Sequence, residues 1–305
     1  MTSRRTLLTA AALASLSAAP RVRPRAIAAQ AATPTAADSA MHDTNVVYGE
    51  VDETKLLLDV YRPVTPGSSR PAVIVIHGGG WTEGFADRAY VAPFAEHLAE
   101  AGYVAFNIDY RLMNGEPGHN VWPTQLNDVQ RAVRWVRANA EEYGVDPERI
   151  ASLGHSAGGQ LASLLGVRET NDWSDPSAEL FSSRVNAAID LSGDIDLALP
   201  YPSAFDNQLV RDYLGGSVED IPDVFREASP VTWVNAETVP FLVIHSANDE
   251  INPVAHAHAL VAALHEARVE TAFVELGHGG HMATAEWDTS GPWILAFLMS
   301  QFAAD

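Results

Sequence analysis

Ala72-Val73-Ile74-Val75-Ile76 is a run of five apolar residues with no polar alternate. A strand with one face in water alternates; an unbroken run suits burial on both faces, as in a parallel sheet covered by helices on each side. Parallel neighbours cannot be joined by a tight hairpin, so such a strand calls for crossover helices elsewhere in the chain. The rest of the sequence supplies them. Further strand-like stretches fall at 103–108, 150–153, 185–191, 241–245 and 271–276. Between them, helical spacing appears at 90–101, 128–143, 157–167, 254–267 and 293–302. The clearest stripe is Val129, Ala132, Val133, Val136 and Ala140, ended by Gly144. Residues 46–61 read as two short strands about a turn near Asp52-Glu53. This alternation predicts an α/β fold: one mostly parallel, twisted sheet with helices on both faces, spanning residues 40–305. The segment 194–235 is less periodic and carries Pro200, Pro202, Pro222 and Pro230. It is expected to be a small lid-like insertion over the carboxyl edge of the sheet.

Residues 1–39 are set apart from this pattern. Arg4-Arg5 precedes an Ala/Leu-rich stretch too short to span a bilayer. The pair has the form of a twin-arginine export signal, with small-residue cleavage positions near Ala26-Ile27-Ala28. An exported protein, periplasmic or secreted, is expected, without stable membrane insertion. The net charge of −20 argues against nucleic acid as a partner. The chain has no cysteine, which excludes disulfides, thiolate metal sites and a cysteine nucleophile.

Gly154-His155-Ser156-Ala157-Gly158 follows one predicted strand directly and opens a predicted helix. That context, more than the five residues, marks a nucleophile elbow: a sharp turn flanked by small residues that raises Ser156 over the sheet edge. A helix-capping serine in a glycine turn is the simpler alternative. His77-Gly78-Gly79-Gly80-Trp81 follows the apolar run 72–76. Its glycines free backbone N–H groups to meet a developing oxyanion; Gly79 and Gly80 are the candidates, with Gly78 possible and the Ala157 N–H as a further donor. A phosphate loop would need Gly-Lys-Ser/Thr next, and Trp81 stands there instead. His77 is expected to brace the loop, and Trp81 to pack or to line a pocket.

A serine nucleophile on such a sheet takes its acid and then its base from later in the chain. Asp249, just past the strand 241–245, is the leading acid, with Glu250, Asp194 and Asp196 as rivals. The base is His281 or His278, both in the glycine-rich loop after 271–276. His256 and His258 lie two apart on a helix, share no face, and are expected to be solvated. Neither metal nor cofactor is called for, because no ligand cluster shows metal spacing.

Together the 77–81 loop, Asp109-Tyr110-Arg111, the stretch 143–150 and Gly154–Gly159 resemble esterase/lipase members of the α/β-hydrolase superfamily. The likeness is to bacterial esterases with a His-Gly-Gly-Gly-Trp loop, grouped with hormone-sensitive-lipase-like and feruloyl-esterase-like proteins. The resemblance implies the α/β-hydrolase fold and a Ser156-Asp249-His281 triad. The last loop of such proteins reads Glu-Leu-Pro-Gly-Ala-Gly-His; Glu275-Leu276 matches it without a gap and brings the histidine to His281. Glycine at 277 and histidine at 278 depart from that pattern. Asp109-Tyr110-Arg111 is then structural. The implied activity is hydrolysis of a small-molecule carboxylic ester, small or aryl. The same groups would serve an amide hydrolase, an arylformamidase or a peptidase. A non-catalytic binding protein is the remaining reading, which the presence of every expected group disfavours.

Overall fold

β3 (Arg70–Ile76) is buried along its whole apolar run, as that run requires. The computed structural model describes residues 40–303 other than 66, 68 and 171–174, so residues 1–39, where an export signal is expected, lie outside the described residues. The strands before β3 are β1 (Met41–Val51) and β2 (Thr54–Arg62). After it come β4 (Val104–Ile108), β5 (Val145–His155), β6 (Ala187–Leu191), β7 (Phe241–Ser246) and β8 (Thr271–Leu276). They form one sheet in the order β1-β2-β4-β3-β5-β6-β7-β8. β1 and β2 pair antiparallel, and β2 pairs antiparallel with β4; every other pairing is parallel.

Side chains of β3 divide with a period of two. Ala72, Ile74 and Ile76 enter the apolar cluster on one face, and Val73 and Val75 enter the other. The first face is covered by α2 (Thr124–Ala138), followed by the single turn α3 (Ala140–Tyr143), and by α4 (Ala157–Val167) and α7 (Ala255–Glu266). The second is covered by α1 (Ala92–Glu100) and α8 (Trp287–Phe302). Two helices occupy the segment 194–235: α5 (Ala204–Leu214) and α6 (Pro222–Ala228).

The sequence places some boundaries differently. The helix expected over 128–143 begins at Thr124 and breaks at Asn139, whose φ of −107° and ψ of 16° leave the helical region. α8 starts six residues before 293 and carries Pro292 inside it. β5 starts at Val145, since Val145 pairs with Arg70 before an irregularity restores register at Ile150.

β3 neighbours both β4 and β5, so the connections leave it in opposite directions across the sheet. The crevice at the carboxyl ends of β3 and β5 is therefore a topological switch point, where ligands bind in open α/β sheets. Strand order, pairing and helix placement are those of the α/β-hydrolase fold.

Candidate active site

Two turns meet at that crevice, the 77–81 loop after β3 and Ser156 after β5. Ser156 has φ 58° and ψ −126°, a strained conformation for a residue with a side chain. The turn closes because its flanks lack side chains. A Cβ on Gly154 would lie 2.0 Å from the Gly158 carbonyl oxygen, and one on Gly158 would lie 2.3 Å from that of Ile76 and 2.5 Å from that of His77. The Ser156 hydroxyl makes no capping bond to α4, which sets aside the helix-cap alternative. Its backbone N–H is fixed instead by the Leu191 carbonyl at 2.9 Å.

Gly79 and Gly80 take φ values of 104° and 59°, and Trp81 follows at 58°. Three successive positive φ values turn the loop back over the nucleophile, a path that glycine adopts readily. The His77 ring stacks on Tyr110 at 4.4 Å and donates from Nδ1 to the Gly78 carbonyl at 2.7 Å. Tyr110 Oη donates to the His77 carbonyl at 2.9 Å. Arg88 bonds both Asp59 and Asp109, and Arg111 makes a bidentate pair with the fully buried Asp128. Asp109, Tyr110 and Arg111 thus brace the loop from behind. Trp81 is buried, stacks on Tyr213 at 4.1 Å and donates from Nε1 to Gln160 at 3.0 Å.

Beyond β7, the Asp249 carboxylate accepts backbone N–H groups from Ile251 at 3.0 Å and Asn252 at 2.8 Å. It also accepts His281 Nδ1 at 2.9 Å. Burial alone would raise this acid, but hydrogen bonds from His245 and His281 more than reverse that and hold it well below the usual carboxylate range. Glu250 accepts the His281 backbone N–H at 3.2 Å. With Nδ1 committed to Asp249, Nε2 is the His281 nitrogen left to exchange a proton. His278 is exposed.

Gly79, Gly80, Trp81, Ser156 and His281 line one cavity of about 1140 Å³, and Ala157 opens the helix behind Ser156. Asp194 lines it too, but its carboxylate accepts Tyr201 Oη at 2.8 Å, and burial pushes it up to about 6. Asp196 receives a local turn bond from Ala198 N–H at 3.1 Å.

Three features escape sequence reading. His155 sits between the glycines of the elbow, takes a hydrogen bond from Tyr90 Oη, and donates from Nε2 to the His281 carbonyl at 3.1 Å. Burial, with the neighbouring His281, lowers it to about 3, so it is neutral. His256 is not solvated: it is wholly buried on α7, and Nδ1 accepts the N–H groups of Ile195 and Asp196 at 3.2 Å each. His258 does reach solvent and meets Glu275 at 2.7 Å. Finally, Phe85, Phe205, Ile251 and Met282 are exposed apolar side chains from four separate segments, and all four line the cavity. Among the described residues no cluster of histidine, cysteine and carboxylate could hold a metal ion, and no helix is long and apolar enough to cross a membrane.

Known proteins similar to this chain in sequence and in structure are named as esterases. Esterase LipC of Mycobacterium tuberculosis is 34% identical over 248 residues, 79% of this chain and 60% of LipC. The probable carboxylic ester hydrolase LipM of the same organism is 33% identical over 237 residues, 74% of this chain and 52% of LipM. The chain thus spans a little over half the length of these relatives. Among solved structures, the butyrate-bound thermophilic esterase Est2 of Thermogutta terrifontis superposes with a TM-score of 0.68 at 28% identity, covering 87% of this chain and 93% of that one. The acetyl ester-xyloside bifunctional hydrolase of Caldicellulosiruptor lactoaceticus gives 0.71 at 25% identity, covering 84% and 96%. Residues 58–264, which run from β2 through α7 and hold the elbow, the glycine loop and Asp249, match the BD-FAE family, and the chain belongs to it.

Proposed function

We propose that this protein is a serine carboxylic-ester hydrolase acting through Ser156, Asp249 and His281 on small or aryl esters. The observation that carries the reading is a strained Ser156 sharing a cavity with a His281 already oriented by a buried carboxylate. His281 Nε2 takes the Ser156 proton as Oγ attacks the ester carbonyl. Asp249 holds the ring and stabilises its positive charge. Backbone N–H groups of Gly79, Gly80 and Ala157 receive the oxyanion, aided by the positive end of α4. The alcohol leaves with the proton from His281, and water then cleaves the acyl-enzyme by the same steps in reverse. The apolar rim of Phe85, Phe205, Ile251 and Met282 supports an uncharged acyl or aryl group at the mouth.

Hydrolysis of p-nitrophenyl esters from acetate upward, with methyl ferulate and an anilide, tests the reading. Ester turnover should fall about a thousandfold or more in Ser156→Ala. Turnover of the anilide alone would favour an amide hydrolase. Equal turnover by Ser156→Ala and the parent would remove the serine mechanism. Export through residues 1–39 belongs to the same reading, supported by Arg4-Arg5 ahead of the Leu-rich stretch. Uncleaved protein confined to the cytoplasm in cell fractions would overturn it.

A further inference from the structure

A second histidine lies against the Asp249 carboxylate, at the oxygen that His281 also meets. His245 is the penultimate residue of β7, is wholly buried, and donates from Nε2 to the Asn252 carbonyl at 2.8 Å. The same nitrogen lies 3.4 Å from Asp249 Oδ2. Both neighbours are acceptors, so Nε2 carries a proton in any state of the ring. Nδ1 is buried with no hydrogen-bond partner. On the adjacent β6, Asp190 is also wholly buried, and neither of its oxygens forms a well-made hydrogen bond.

Space for this carboxyl is provided. A Cβ on Gly193 would lie 2.1 Å from Asp190 Oδ1, and one on Gly159 2.6 Å. A buried carboxyl without full hydrogen bonding is costly unless an opposite charge faces it. Asp190 pairs in register with Val243, two residues before His245, so both side chains belong to the same face of the sheet.

We propose that His245, supported by Asp190, is a positioning residue that stands as a cation against Asp249 and sets the lower pH limit at which His281 serves as base. The proposal rests on the Ser156-Asp249-His281 reading. A cation against the same carboxylate oxygen offsets part of the negative charge that holds a proton on His281. The base is therefore free at lower pH than a bare triad would allow.

The groups that act on His245 are Asp249 from its own loop, Asp190 from β6, His155 at the end of β5 and His256 from α7; His281 beyond β8 shares Asp249 with it, and Asp194 past β6 acts on Asp190. Burial holds His155 and His256 neutral, at about 3 each, so neither competes for the positive charge. For His245, burial pulls downward, but hydrogen bonding to Asp249 and Asn252 and the charges of Asp190 and Asp249 carry the net direction upward. Burial pushes Asp190 up to about 7, against the pull of His245.

The test is the pH dependence of two rates in the full chain: kcat/KM on a p-nitrophenyl ester, and covalent labelling of Ser156 by a fluorophosphonate, which needs no knowledge of the natural ester. In His245→Gln, which keeps an N–H donor and removes the charge, the acid limb of both profiles should move to higher pH by on the order of half to one unit. Asp190→Asn should move it the same way by less, and the double variant no further than His245→Gln. The displacement should persist in 0.5 M salt (about 4 Å screening length), because the groups are buried. If His245→Gln does not fold, Asp190→Asn alone decides. Profiles that superimpose on the parent's, with only a lower plateau, would overturn the proposal and leave the serine mechanism intact. A parent neither labelled nor active at any pH would overturn both.

Discussion

His256 accepts two backbone N–H groups from residues sixty positions earlier, at the start of the segment that carries Asp194 and Tyr201. Its replacement by leucine leaves both donors buried and unpaired. His256→Leu should therefore lose about 2–4 kcal/mol of unfolding free energy, measured in denaturant. The loss should be accompanied by weaker activity, since the same segment forms one cavity wall. Nothing near His256 in the sequence signals this, because its partners are main-chain groups brought close only by folding. Asp249 and His281 are legible by contrast, since each lies in the loop after a strand, in the chain order that a serine nucleophile demands. Asp190 and His245 have no motif at all. They read as polar interruptions in two apolar strands, and only the sheet pairing shows that they face one another.

At the scale of elements, legibility follows burial. β3, the second half of β5 from Ile150 and α4 are buried on every side and stand out at once. α2 buries Gln125, Asp128, Gln130 and Arg134 beside its apolar stripe, so its first turn reads as loop. Gly291 and Pro292 disguise the start of α8; the glycine is there because the Trp287 ring lies 2.5 Å from where its Cβ would be. α5 buries only Val210, Tyr213 and Leu214, too few to register as a period. That helix nevertheless gives the cavity Phe205, whose ring lies 5.9 Å from Phe85 on the loop opposite. Phe205→Ala and Phe85→Ala should each lower kcat/KM for hexanoyl and aryl esters by roughly tenfold through KM, and leave acetate nearly unchanged. Equal losses on all esters would mean that the pair shapes the site and does not hold the substrate.

For the molecule as a whole, buried titrating groups set the response to acid. Burial takes His77 to about 4 and His155 and His256 to about 3 in the fold, each below its ordinary value. The unfolded chain thus binds more protons below about pH 6.5, and these three weaken the fold as pH falls toward 4. Asp194, raised by burial to about 6, and Asp109 and Asp128, also raised by burial, act the other way. Denaturant titrations at several pH values should show Asp194→Asn steepening the loss of stability as pH falls from about 6.5 toward 4.

The backbone interlock between the elbow and the glycine loop also divides the protein by its tolerance of change. Where main chain touches main chain, at Gly154, Gly158 and the Ile76 and His77 carbonyls, no side chain can be exchanged to adjust the chemistry. The cavity wall contributed by Phe85, Phe205, Leu209, Ile251 and Met282 consists of side-chain ends, and it can drift freely. Adaptation to a new ester should therefore run through those positions, and a library selected on one should accumulate changes there while the elbow stays silent.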